Sequence, residues 1–121
     1  MGNKHKAKGT SFETAIREYL NAKGFVHARR TALEGGQDKG DIHGVESPST
    51  LRKACFQCKN QKALKLSEWL NDTVEQAERL DGALPILIAK RAGKGKKALG
   101  DSYAVMRLDD LIDLLQEAGY L

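Results

Sequence analysis

Leu84-Pro85-Ile86-Leu87-Ile88-Ala89 is an almost continuous apolar run in this chain. A strand that is buried on one face alternates apolar and polar residues, so a run without alternation predicts a strand that is buried on both faces. Pro85 lacks a backbone N–H, and we expect it at the first residue of this strand, where a missing donor costs least. The run therefore predicts a central strand of a sheet.

The sequence on both sides of this run predicts the remaining elements. Apolar residues at helical spacing predict three helices, at residues 10–24, 67–80 and 108–118. Shorter apolar or alternating segments predict four more strands, at residues 25–31, 40–45, 54–60 and 102–107. The glycine- and lysine-rich segment 91–100 is expected to be a loop. The resulting order, αβββαββα, predicts an α/β fold in which helices flank a mixed sheet.

Length and composition limit the classes of protein to consider. The 121 residues suit a single domain, and 40% hydrophobic with 30% charged residues is typical of a globular fold. No apolar run is long enough to span a membrane, and two cysteines are too few for a disulfide framework. We therefore expect a cytoplasmic chain with a flexible basic arm over residues 1–9 and one domain over residues 10–121.

The most informative polar residues lie on two neighbouring strands. Asp41 lies in the predicted strand over 40–45, and Gln57 and Lys59 share a face of the next strand, which a short connection predicts to be antiparallel to the first. An aspartate and a second oxygen ligand can hold a hard divalent cation, while a lysine can neutralise charge that develops on a phosphate. These residue types suit a phosphodiesterase, although a solvated polar sheet face accounts for the same spacing.

Glu13 allows two interpretations. Thr10 and Glu13 fit the S/T-x-x-E capping box, in which each side chain binds the backbone N–H of the other residue at the start of a helix. Spacing alone favours this cap. In the functional interpretation, Glu13 reaches the predicted metal site from the first helix.

Three further polar or reactive residues have structural interpretations that we favour. Cys55 and Cys58 form a C-x-x-C pair, but residues three apart in a strand point to opposite faces, which favours core packing for Cys58 over metal or redox chemistry. His43 is expected to be a solvated or edge-strand residue, with a contact to the Asp41 site or to a phosphate as the alternative. Gln76 is expected to be an ordinary exposed residue of the second helix, with an orientation toward the site as the alternative.

The residues Lys8-Gly9-Thr10-Ser11-Phe12-Glu13, then Asp41, then Phe56-Gln57-Cys58-Lys59 before an amphipathic helix form a recognisable series. This series resembles the PD-(D/E)XK nuclease superfamily, and within it the archaeal-type Holliday-junction resolvases, from residue 8 to about residue 89. The resemblance implies a restriction-endonuclease-like fold and a metal-dependent, structure-selective DNA endonuclease of recombination and repair. It also implies that Glu13, Asp41 and Gln57 bind Mg²⁺, for which Mn²⁺ can substitute, and that Lys59 assists the attack by water or stabilises the transition state.

The chain departs from the superfamily pattern at two positions. Gly40 stands where proline is frequent, a change from which we expect little chemical consequence. Gln57 stands where an acid is usual, and its neutral carbonyl is expected to weaken metal binding. The alternatives to a resolvase are therefore another repair or nicking nuclease of the superfamily, and a DNA-binding module that has lost catalysis.

The net charge of +4 is concentrated in two stretches without acids, which suits contact with a phosphate backbone, although a basic loop is often only a solubilising surface. Aromatic residues are scarce and mostly core-like, so stacking of bases on an open platform is less favoured. Symmetric cutting of a four-way junction needs two active sites, which predicts a homodimer with two-fold symmetry. Six lysines are expected to contact DNA: Lys4, Lys6, Lys8, Lys94, Lys96 and Lys97.

Overall fold

A computed structural model describes residues 3–31 and 40–121, with side chains from residue 7 onward in the first helix. The α-helices are α1 (Asn3–Ala22), α2 (Leu66–Arg79) and α3 (Leu108–Glu117), and a short 3₁₀ helix spans Lys96–Asp101. The strands are β1 (Arg29–Arg30), β2 (Ile42–His43), β3 (Ala54–Lys59), β4 (Leu84–Ala89) and β5 (Tyr103–Val105). None of the helices in the described part of the chain is long and apolar enough to cross a bilayer.

The described strands form one sheet in the order β1-β2-β3-β4-β5. β3 and β4 are parallel, whereas the other neighbouring pairs are antiparallel. The predicted α/β fold with a mixed sheet and the antiparallel pairing of β2 with β3 are therefore confirmed. The apolar run forms β4, between β3 and β5, although Pro85 is its second residue rather than its first.

The core lies on both faces of the sheet. On one face, Phe12 and Ile16 of α1 belong to a buried cluster with Ile42 and Phe56. On the other face, α2 covers the sheet, and its Trp69 is buried in a cluster with residues of β4. Because β3 and β4 are covered on both faces, their side chains are almost all removed from solvent, as expected for neighbouring parallel strands.

The first helix is longer than predicted, because α1 begins at Asn3 and not at Thr10. Gly9 is the weakest helix former in this segment, but one glycine costs only about 1 kcal/mol relative to alanine and does not end the helix. The structure therefore places residues 3–9 in α1 instead of before it. The flexibility of residues 1–9 and the domain boundary at residue 10 stay predictions.

The outer strands are shorter than predicted, and β1 shows why. The side-chain amide of Asn21 donates to the carbonyl oxygens of Phe25, at 2.8 Å, and Ala28, at 3.1 Å. The backbone N–H of Ala28 also donates to the Phe25 carbonyl. These bonds form a turn that satisfies polar groups locally, so the predicted strand over 25–31 is reduced to Arg29–Arg30.

The last helix is attached to the domain through Asp110. This carboxylate is only 4% exposed and accepts a hydrogen bond of 2.8 Å from Arg107 Nε, while Arg52 Nη2 lies at 3.4 Å. The hydrogen bond to Asp110 raises the pKa of Arg107 further above its ordinary value. In contrast, five apolar side chains of α3 remain more than one third exposed: Leu108, Leu111, Ile112, Leu114 and Leu115.

Asp110→Ala should lower the free energy of unfolding by about 1–2 kcal/mol, because it removes a buried acceptor of charged hydrogen bonds at the first turn of α3. Asp113→Ala is the matched control, since Asp113 is exposed and lies 3.8 Å from the same Arg52. Its effect should stay below about 0.5 kcal/mol. Urea denaturation measures both variants, and equal losses would contradict the role given to Asp110.

Candidate active site

A cleft of about 860 Å³ opens at one edge of the sheet. β3 ends at this edge with Lys59, and Asp41 directly precedes β2 there because β2 is antiparallel to β3. Glu13 of α1 and Gln57 of β3 line the same cleft. The structure therefore brings together all four residues that the sequence assigned to catalysis, although they come from three separate elements.

Backbone hydrogen bonds fix the position of Asp41. Its N–H donates to the Phe56 carbonyl at 2.7 Å, and its own carbonyl accepts from the Thr31 N–H at 2.8 Å. Its carboxylate Oδ2 accepts a third bond of 2.8 Å from the N–H of Cys58. The backbone of β3 thereby orients this carboxylate, through the residue that lies between Gln57 and Lys59 in the strand.

Gly40 allows the chain to approach β3 this closely. Its φ is +92°, and a Cβ at this position would lie 2.6 Å from Cys55 Sγ and 3.1 Å from the Phe56 carbonyl oxygen. Proline is restricted to a φ near −65° and cannot adopt this conformation. The expectation that glycine in place of proline matters little is therefore wrong for the backbone.

Gln76 is the second correction at this edge. It is 4% exposed, and its Oε1 lies 3.8 Å from the position that a Cβ on Gly40 would occupy. The preference for an ordinary exposed helix residue is thus wrong. α2 packs on β3 and β4, and this packing brings Gln76 toward the segment that precedes Asp41.

Glu13 has a partner that the sequence did not indicate. Its Oε2 accepts a bond of 3.0 Å from Arg30 Nη2, and Arg30 also lines the cleft. The predicted capping box is wrong, because α1 begins at Asn3 and Thr10 therefore lies inside the helix and not at its start. Arg30 offsets part of the negative charge that Glu13 and Asp41 bring to the cleft. No pattern in the sequence indicated this ion pair, because the two adjacent arginines of β1 fit neither a helical nor a strand period.

Gln57 supplies a buried oxygen without a hydrogen-bond partner. The residue is 7% exposed, and its Oε1 makes no hydrogen bond in the structure. Such an orphaned acceptor is unfavourable by about 1–3 kcal/mol and therefore needs a ligand or an explanation.

The donors in the cleft fit a hard divalent cation. The described residues contain no group of three or more His, Cys, Asp or Glu arranged for a metal, so the candidate set is two carboxylates and the amide oxygen of Gln57. Oxygen donors of this kind suit Mg²⁺ and related cations. Glu13, Asp41 and Gln57 could therefore hold such an ion, with less negative charge than three acids would provide.

Lys59 is the last residue of β3 and lies two residues after Gln57, on the same strand face. Its ammonium nitrogen is 5.9 Å from the centroid of the buried Trp69 ring. This cation–π contact restricts a side chain that would otherwise be mobile. The cleft thus contains a positioned cation beside the candidate metal ligands.

The remaining predicted residues lie elsewhere or serve the structure. Cys58 packs in the α1-side cluster and Cys55 in the α2-side cluster, so the predicted core packing of Cys58 and the opposite faces of the pair are confirmed. Burial, and then the charges of Asp41 and Glu13, raise the pKa of Cys58 well above its ordinary value, which keeps it a thiol. His43 Nδ1 lies 2.9 Å from Thr31 Oγ1, and His43 does not line the cleft.

The predicted DNA-contacting lysines are distributed unevenly. Lys8 lines the cleft, as does Lys62, which the sequence analysis did not single out. The side chains of Lys4 and Lys6 lie outside the described residues. Lys94 lies 3.4 Å from Asp101, and the exposed Lys96 and Lys97 begin the 3₁₀ helix away from the cleft; the contacts of all these lysines with DNA stay predictions.

Comparison with protein families gives one match, over residues 4–120, to the family described as "Phage putative PDDEXK endonuclease". The matched segment includes the four residues that are predicted to be catalytic and every described strand of the sheet. Nucleases of the PD-(D/E)XK type generally use divalent metal ions. None of the curated proteins matches the chain.

Gln57→Glu should lower the Tm without metal by about 3–6 °C, because a carboxylate at this buried position is repelled by the nearby Glu13 and Asp41. Mg²⁺ should then raise the Tm of this variant more than that of the parent chain. Gln61→Glu is the matched control, since Gln61 lines the same cleft but is exposed. Thermal melts with and without Mg²⁺ test this prediction, and identical metal responses in both variants would remove Gln57 from the ligand set.

Proposed function

The chain belongs to the family of PDDEXK endonucleases, and from this premise we propose that it is a metal-dependent DNA endonuclease that hydrolyses phosphodiester bonds. One observation carries the proposal. Side chains from α1, from the residue before β2 and from the end of β3 line one cleft together, and they supply two carboxylates, an amide with an orphaned oxygen and a lysine. A solvated polar sheet face does not account for a buried carbonyl oxygen without a partner.

In the proposed reaction, each residue has a distinct role. Glu13, Asp41 and Gln57 hold Mg²⁺, for which Mn²⁺ can substitute. A bound divalent cation supplies Lewis acidity toward the phosphate and lowers the pKa of water. The Cys58 N–H keeps the Asp41 carboxylate oriented, and the Lys59 ammonium stabilises negative charge on the phosphate oxygens as water attacks and the P–O bond breaks.

The charge of the cleft supports DNA as the substrate. Lys8, Arg30 and Lys62 line the cleft together with Lys59. These cations suit contact with the phosphates of a DNA strand, although Arg30 also pairs with Glu13. Phosphate contacts of this kind provide salt-dependent affinity without reading sequence. The substrate class is therefore proposed to be set by DNA structure rather than by base sequence.

Resolution of Holliday junctions is the form of this activity that the sequence resemblance favours. It calls for two active sites related by a two-fold axis, and hence for a homodimer. The uncovered apolar side chains of α3 support a second copy of the chain as a partner. Sedimentation of the purified chain measures this directly, and a monomer that cuts DNA would favour the repair or nicking nuclease instead.

Asp41→Asn should abolish cleavage and leave DNA affinity within about twofold, because it removes a charged ligand but keeps an acceptor for the Cys58 N–H. Asp72→Asn is the control, since Asp72 is exposed on α2 and lies outside the cleft. Labelled four-way junction, fork, duplex and single-stranded DNA, each with Mg²⁺, Mn²⁺ or EDTA, give both the activity and its substrate. Cleavage at the parental rate by Asp41→Asn would refute the assignment.

The neutral Gln57 favours one second candidate, a DNA-binding module without catalysis. The same cleavage assay separates the two functions. A parent chain that cuts none of these DNAs, together with a Gln57→Glu variant that does, would establish the lapsed module. Cleavage by the parent chain in Mg²⁺ would exclude it.

Replacement of Lys94, Lys96 and Lys97 by alanine should weaken binding to every DNA to a similar extent and reduce the salt dependence of binding. Lys94 should contribute least, because it already lies 3.4 Å from Asp101. Lys23→Ala, at an exposed residue directly after α1, serves as the control for lost positive charge. Fluorescence anisotropy between 50 and 200 mM salt, about the range over which such contacts weaken, measures the slope. An unchanged slope would identify the segment as a solvated surface.

A further inference from the structure

A second cleft of about 420 Å³ adjoins the first, and we call it the side cleft. The two clefts share a wall formed by Lys8 and by the segment that follows β3. This wall includes Lys62, and beyond it the side cleft is lined by Lys90, Arg91 and Tyr103. Its described lining contains no acidic residue, whereas the first cleft contains Glu13 and Asp41. The side cleft is therefore suited to an anion and not to a metal ion.

The sheet register aligns the side cleft with the proposed reaction centre. Lys59 of β3 pairs with Ala89 of β4, and Ala89 pairs with Tyr103 of β5. Directly paired residues present their side chains on the same face, and neighbouring strands lie about 4.8 Å apart. Tyr103 thus lies about 10 Å from Lys59 along one row of the sheet, a separation that an adjoining nucleotide of the same DNA strand can span.

Tyr103 and Arg91 form an aromatic surface at the outer end of this row. The Tyr103 ring is 42% exposed, and the guanidinium carbon of Arg91 lies 5.3 Å from its centroid. Arg91 Nη1 donates to the backbone carbonyl of Asp101 at 3.4 Å, so this contact orients the guanidinium without neutralising it. Aromatic rings and arginine planes are the groups on which proteins stack unpaired bases.

We propose that the side cleft binds an unpaired nucleotide adjoining the scissile phosphodiester, an inference that rests on the proposed nuclease function. Lys62 and Lys90 contact the phosphate of this nucleotide, and its base stacks on the Tyr103–Arg91 pair. A base within continuous duplex is covered by its neighbours and cannot stack there. The chain therefore selects DNA with unpaired nucleotides beside the cut, as at a branch point or flap, over intact duplex.

Binding in EDTA tests the side cleft without cleavage. The probes are a duplex and the same duplex with a short single-stranded flap that carries 2-aminopurine next to the branch point, whose fluorescence falls on stacking. Tyr103→Ala should weaken flap binding about tenfold, within the range for loss of one stacked base, and abolish the quenching. Tyr103→Phe should behave like the parent chain, because it keeps the ring. Tyr120→Ala, which removes an exposed tyrosine outside the side cleft, is the matched control.

Arg91→Ala is a second variant, and it leaves Tyr103 of β5 unchanged. It should also reduce the quenching of 2-aminopurine. Equal weakening of flap and duplex binding by Tyr103→Ala would overturn the stacked base, as would unchanged quenching in both variants. A chain that cuts no DNA but loses flap affinity on Tyr103→Ala would refute the nuclease proposal and keep the side cleft. If the chain cuts DNA and neither Tyr103→Ala nor Arg91→Ala changes flap binding or quenching, the nucleotide site in the side cleft is refuted and the nuclease proposal stands.

Discussion

The hydrogen bond from the Cys58 N–H to Asp41 Oδ2 joins the acid at the start of β2 to the strand that carries Gln57 and Lys59. This bond is possible only because the chain before Asp41 passes within van der Waals contact of β3. Gly40 permits that approach with a positive φ, and a Cβ in its place would meet Cys55 and the Phe56 carbonyl. The geometry of the cleft thus depends on a close backbone contact in which glycine has no substitute.

The two adjoining clefts divide electrostatic roles between them. The first combines carboxylates with cations, and the Glu13–Arg30 pair keeps part of its charge compensated inside the protein. The described lining of the side cleft contains four lysine or arginine side chains and no acid, and it includes the exposed Tyr103. A divalent cation is suited to the first environment and a nucleotide to the second, while Lys8 and Lys62 line both clefts.

Gln57 affects both the stability of the protein and the metal binding that is proposed for this cleft. A third carboxylate would bind a divalent cation more strongly, but it would also be buried beside Glu13 and Asp41, where its charge is costly without the metal. The neutral amide avoids this repulsion and leaves an unsatisfied oxygen instead. At the proposed metal site, the amide would thereby give a lower metal affinity together with a lower electrostatic cost in the metal-free protein.

The sequence by itself determined the order of the elements, the interior position of β4 and the shared strand face of Gln57 and Lys59. These features follow from periodicity, which depends on neighbouring residues along the chain. Only the tertiary structure decided that Glu13 pairs with Arg30 rather than with Thr10, that Gln76 is buried, and that Tyr103 lies in a basic cleft beside the site. Each of these depends on elements distant in sequence that pack together, and helical or strand periodicity contains no information about which distant side chains then meet.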